Sequence, residues 1–116
     1  MKSFIISIIT LLVALVSTGE VQAQKKVIED TLHVKGVCGM CKERIEEAAY
    51  GKGVKYVSWD KATDKLAIAY RSDKTSMEEV EERILQAGHS TENKDAKPED
   101  YEKLPMCCRY QVKEKH

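Results

Sequence analysis

Apolar and polar positions change period several times along the chain. From Val27 to Val34, the residues Ile28, Leu32 and Val34 fall on one parity, interrupted by Asp30, which predicts a strand. Cys41, Ile45, Ala48 and Ala49 then recur at helical spacing, with Lys42, Glu43, Arg44, Glu46 and Glu47 on the wet side. A helix over Cys41–Tyr50 follows, ended by Gly51 and Gly53. Val54–Trp59 and Lys65–Arg71 read as strands joined by Asp60-Lys61-Ala62-Thr63-Asp64, which is turn chemistry. In the second of these, Leu66, Ile68 and Tyr70 alternate with Ala67, Ala69 and Arg71. Thr75-Ser76-Met77-Glu78 is read as a capping box. It opens a second helix whose inner face carries Met77, Val80, Ile84 and Ala87 and which closes at Gly88. His89-Ser90-Thr91-Glu92-Asn93 is expected to form a short fourth strand at the sheet edge.

The order is βαββαβ. Right-handed crossovers in both halves put the two helices on one face of an antiparallel sheet. The expected fold class is α+β, a ferredoxin-like sandwich. A 13-residue apolar run, Phe4–Val16, precedes it behind Lys2, and Val21-Gln22-Ala23 offers a small-residue cleavage site. This is the pattern of a secretory signal peptide, short of the ~20 apolar residues of a membrane span. The expected organisation is a signal peptide over 1–23, one domain over 24–93, and a C-terminal extension over 94–116. The mature chain is expected to be periplasmic or secreted, with no membrane span. In the extension, Pro98 is placed to open a short helix through Leu104. Met77 and Met106 are read as packing residues, and Lys113-Glu114-Lys115-His116 as a frayed end.

Lys plus Arg and Asp plus Glu each total 19. A balanced charge argues against a nucleic-acid partner. The four cysteines carry the candidate chemistry. Cys38-Gly39-Met40-Cys41 lies where a strand meets a helix. Cys41 falls in the first helical turn, where free amides and the helix dipole favour a thiolate, and Cys38 precedes the helix. Two thiolates so placed can grip one soft ion, and a surface loop leaves room for a partner's thiols to take it. A closed structural zinc site would need four ligands.

The run Val34-Lys35-Gly36-Val37-Cys38-Gly39-Met40-Cys41, with Ile45-Glu46 behind it, resembles the metal-binding loop of heavy-metal-associated domains. Gly53-Val54, Val57, Ile68, Tyr70 and Ala87-Gly88-His89 fall in register with that family. Its small soluble members include periplasmic mercury-binding proteins and copper chaperones. The resemblance, over about residues 27–93, implies a ferredoxin-like fold and a soft ion held by Cys38 and Cys41. The family loop usually carries Gly-Met-Thr before the first cysteine. Here Gly36 stands two places ahead of Cys38, and Met40 lies between the cysteines. Zinc-preferring members often carry a carboxylate just before the first cysteine. Val37 stands there, which favours Cu(I), with Hg(II) or Ag(I) next. A membrane metal transporter or another metal-binding domain is the implied partner.

His89 belongs at the metal end by topology and is a candidate third ligand, weighed against a packing neighbour. Cys107 and Cys108 are a candidate second ligand pair or disulfide-controlled lid, weighed against thiols unrelated to metal. His33 and His116 read as solvated. The leading function is a non-enzymatic carrier or buffer of a soft metal ion outside the cytoplasm, working by thiol exchange. The alternative is a thiol–disulfide oxidoreductase using the same CxxC. Against that alternative, no Trp precedes the motif and no downstream Pro faces it from a strand start.

Overall fold

A computed structural model describes residues 26–116 of the chain. The signal-peptide segment expected over 1–23 lies outside the described residues. The elements are β1 (Val27–His33), α1 (Gly39–Ala49), β2 (Val54–Trp59), β3 (Lys65–Arg71), α2 (Met77–Gln86), α3 (Pro98–Tyr101) and a 3₁₀ turn (Met106–Cys108). The sheet is antiparallel with β3 between β1 and β2. Pairing runs from Val27 opposite Arg71 to His33 opposite Lys65, and from Val54 opposite Tyr70 to Trp59 opposite Leu66. A register shift between Val54 and Tyr56 bends β2.

The alternation in β3 sets the core. Leu66, Ile68 and Tyr70 are buried, joined by Leu32, Ile45, Ala49, Val80 and Ile84. The helices cap each other. Arg83 of α2 donates to the carbonyls of Ala48 and Ala49 at 3.1 and 2.9 Å. Arg44 of α1 donates to the carbonyl of Ala87 at 3.2 Å. Each guanidinium thus satisfies carbonyls that a helix C-terminus leaves unpaired and meets the negative end of its dipole.

Four boundaries differ from the pattern-based expectation, the first being α3, which ends at Tyr101 and not at Leu104. α1 begins two residues early, with Cys38 as its N-cap. The cap of α2 moves by one: Ser76 is the N-cap and accepts from the Glu79 amide, while the Thr75 hydroxyl donates to the Glu79 carboxylate at 2.9 Å. The fourth strand shrinks to a single bridge between Thr91 and Val34 on the free edge of β1. It is flanked by bonds from the Lys35 amide to the Ser90 carbonyl and from the Glu92 amide to the His33 carbonyl. It goes no further because the Thr91 amide turns back to the Lys94 carbonyl, and the Thr91 hydroxyl and Asn93 amide bond the Glu81 carboxylate. Thr and Asn side chains offer the backbone a turn instead of a ladder.

The extension packs where Gly88 permits it. Gly88 has φ +99°, and a Cβ there would lie 2.7 Å from the Asp100 carbonyl oxygen and 3.0 Å from Leu104. Leu104 and Cys108 are buried in the same core as the sheet residues. The Tyr110 hydroxyl donates to the Gly88 carbonyl and accepts from the Ser90 amide, at 2.9 and 3.0 Å. The end of the chain, expected to fray, is docked. Lys115 donates to the Gly36 carbonyl, pairs with Asp64 and lies over the Trp59 ring. The His116 amide donates to the Val37 carbonyl at 2.8 Å. Among the described residues no helix is long and apolar enough to cross a membrane.

Candidate metal centre

Cys38 ends the loop after β1, and Cys41 sits one turn on, in the opening of α1. Their sulfurs are 3.4 Å apart. The Cys108 sulfur, from the 3₁₀ turn of the extension, comes to 3.8 Å from that of Cys38. All three lie within 4.8 Å of one another, and all four cysteines of the chain are free thiols. The backbone path that brings the loop here is fixed by Trp59. Its indole N–H donates to the carbonyls of Val34 and Asp64 at 2.9 and 3.1 Å. Gly36 lies against its ring, where a Cβ would stand 2.8 Å from the aromatic carbons. A side chain at Gly36 would lift the loop off that support. Trp59 thus holds up the cysteine loop from the end of β2.

The loop is not on the surface, as the sequence led us to expect. Cys38 is 6% exposed, and Cys41 and Cys108 are 0% exposed. The reason is the extension, whose buried Leu104 and Cys108 draw the 3₁₀ turn down onto the loop. That arrangement answers for only one of the adjacent cysteines. Cys107 is half-buried and turns outward, its thiol donating to the Met40 sulfur at 3.6 Å. Met106, read as a packing residue, is 63% exposed, whereas Met77 does pack against the core.

The three thiols differ in acidity. Burial works to raise Cys38, but the Cys41 and Met40 amides at the start of α1, with the Cys41 and Cys108 thiols, outweigh it and hold Cys38 below the usual thiol value. Burial pushes both Cys41 and Cys108 up. The neighbouring thiols push Cys108 further, because they would already carry charge. Cys38 is therefore the first thiolate of the group.

His89 is fully buried beside this end of the sheet but stands outside the three-sulfur group. Its Nδ1–H donates to the Lys35 carbonyl at 2.8 Å, and its ring stacks on Tyr110 with centroids 5.8 Å apart. Nε2 is buried without a hydrogen-bond partner among the described residues. Burial, with a contribution from the Arg44 charge, lowers the His89 pKa to about 4, so the ring is neutral at pH 7. In this geometry its visible bonds join the cysteine loop to the tyrosine of the extension. His33 and His116 are exposed. The sequence proposed the right neighbourhood for Cys107, Cys108 and His89. It gave no means of telling which would face the sulfurs, because the phase of a single 3₁₀ turn decides it.

No family model and no curated protein matches the chain. Solved structures do. One, a solution structure of a candidate copper-ion-binding protein from Bacillus anthracis strain Ames, is 24% identical with a TM-score of 0.54, over 57% of this chain and 96% of that one. Another, a CopZ metallochaperone, is 23% identical with a TM-score of 0.53, over 55% of this chain and 98% of that one. The match establishes the fold: this chain has the ferredoxin-like architecture of those small domains. The matched share leaves roughly two fifths of this chain unmatched.

Proposed function

We propose that the protein binds one soft metal ion, Cu(I) before Ag(I) or Hg(II), through Cys38, Cys41 and Cys108, and carries or buffers it outside the cytoplasm. The observation that carries this reading is the convergence of three free thiol sulfurs from two distant segments within 4.8 Å of each other. An ion equidistant from three sulfurs at ~2.3 Å holds them ~4.0 Å apart. The 3.4 and 3.8 Å separations need only small adjustments to meet that spacing. Thiolate donors select soft ions, and no carboxylate or imidazole belongs to the group among the described residues.

The copper handling named for the two neighbours supports the choice of metal. A carrier rather than an enzyme is the reading, with release by thiol exchange to a membrane transporter or another metal-binding domain. The apolar segment over 4–16 supports an extracytoplasmic address. The test is a titration of the reduced mature chain with Cu(I) against a chromogenic chelator. One tightly held equivalent, together with no catalysis of insulin reduction, is the expected result. No competition with the chelator, or turnover in the insulin assay, would return the CxxC to the oxidoreductase reading.

A further inference from the structure

A buried site must still exchange its ion. Cys38, Cys41 and Cys108 have almost no contact with solvent, so a partner's thiols cannot reach them directly in this conformation. The sulfurs that do face solvent at this place are those of Met40 and Cys107. Met40 stands between the two loop cysteines and is 48% exposed. Cys107 is next to Cys108 and half-buried. Their sulfurs are 3.6 Å apart, so one side chain from each segment supplying the buried set meets at its rim. Met40 takes no part in the core and Cys107 only flanks it, and a half-exposed methionine gains little from its position by packing.

We propose that Met40 and Cys107 form a second, weaker soft-ion site through which the ion enters and leaves the buried three-thiol site. The inference rests on the metal-binding reading above and goes beyond it, by giving the exchange a route. A thioether and a thiol offer soft donors and no hard oxygen, so the pair suits Cu(I) or Ag(I) and rejects Mg²⁺ or Ca²⁺. Two sulfurs binding one ion at ~2.3 Å each stand at most ~4.6 Å apart, within reach of the present spacing by side-chain rotation. On entry, Cys107 loses its proton to water as its sulfur bonds the ion, while Met40 donates a lone pair and loses nothing. The ion then gains a bond to a buried thiolate. As the buried thiols lose their protons and bond the ion, the bonds to Met40 and Cys107 break, and Cys107 takes a proton back. The oxidation state of the metal does not change.

The test compares the reduced full chain with Met40→Leu/Cys107→Ser and with Cys107→Ser alone, all loaded with one equivalent of Cu(I). Leu keeps the volume of Met, and both positions face solvent, so circular dichroism should match the parent. Equilibrium affinity for the first ion should stay within about threefold. Stopped-flow transfer to a chromogenic Cu(I) chelator should slow by about tenfold or more in the double variant, and by less in the single one. Transfer as fast as the parent's would overturn the proposal. So would a loss of affinity in step with the rate, which would make the pair ligands of the resident ion. A parent chain that takes up no Cu(I) fails at the titration itself, and that result removes the reading beneath the proposal.

Discussion

The variant Cys38→Ser/Cys41→Ser is expected to bind Cu(I) at least about 10⁴-fold more weakly than the parent while keeping its fold. Groups that merely orient a metal ligand are worth about 10–100-fold in affinity, so each lost ligand costs at least ~100-fold. Cys38 contributes the most acidic thiol of the three and lies 3.4 and 3.8 Å from the other two sulfurs, and Cys108 alone cannot hold the ion against a chelator. Serine leaves the backbone path of the loop intact. Trp59, the Val37 carbonyl and the first turn of α1 fix that path, and none of them depends on the sulfurs. Chelator competition beside a far-ultraviolet circular dichroism spectrum separates the two effects. Affinity within tenfold of the parent would show that the ion sits elsewhere.

Trp59→Ala carries the largest expected cost to stability. The ring is 1% exposed and among the largest fully buried side chains. Truncating a buried Trp costs about 3–5 kcal/mol. Here the loss of the indole N–H also leaves the carbonyls of Val34 and Asp64 without that donor. The cysteine loop loses its floor at Gly36, and the tail loses the surface under Lys115. Urea unfolding should show the full deficit. Trp59→Phe should recover most of the packing and lose about 1–2 kcal/mol, the share of the hydrogen bonds. A Trp59→Ala chain within 1 kcal/mol of the parent would contradict the role given to this residue.

These two residue sets also mark what could be read before any coordinates. The sheet was legible because Leu66, Ile68 and Tyr70 alternate without interruption, and the period of two leaves little freedom once one face must be buried. The helices were legible in their interiors and misplaced at their starts. At α1, Gly39 and Met40 carry no helix-start signal, and a cysteine is an unusual cap. At α2, two hydroxyl residues followed by two glutamates allow two registers, and Ser76 with Glu79 is the one adopted. The fourth strand could not be foreseen as a single bridge, because the contest between Val34 pairing and the Glu81 carboxylate is settled by contacts ten residues apart.

The site was half legible. Cys38 and Cys41 announced themselves by spacing and by their place at a strand–helix junction. Cys108 could be named only as half of an adjacent candidate pair, because residues 94–116 show no hydrophobic period, and its place depends on long-range contacts. These are the fit of Leu104 and Asp100 against Gly88 and the bonds of Tyr110 to Gly88 and Ser90. The same contacts turn an expected open loop into a covered one. His89 shows the limit of topology as a guide. It reaches the cysteine end of the sheet as expected, yet its nearest demand is the Lys35 carbonyl, and that bond fixes the ring.

An extracytoplasmic address would set free thiols in an oxidising compartment. Burial of Cys41 and Cys108, which raises both thiols, lowers their thiolate fractions and so slows oxidation before loading. The extension on this reading serves two ends: it supplies a sulfur and it shields the other two.

The central claim is that the extension completes the metal site. X-ray absorption at the copper edge of the loaded, reduced chain counts the sulfurs around the ion. Three sulfur neighbours in the parent, falling to two in Cys108→Ser, is the predicted result. Two in both would place Cys108 outside the coordination sphere and contradict the account.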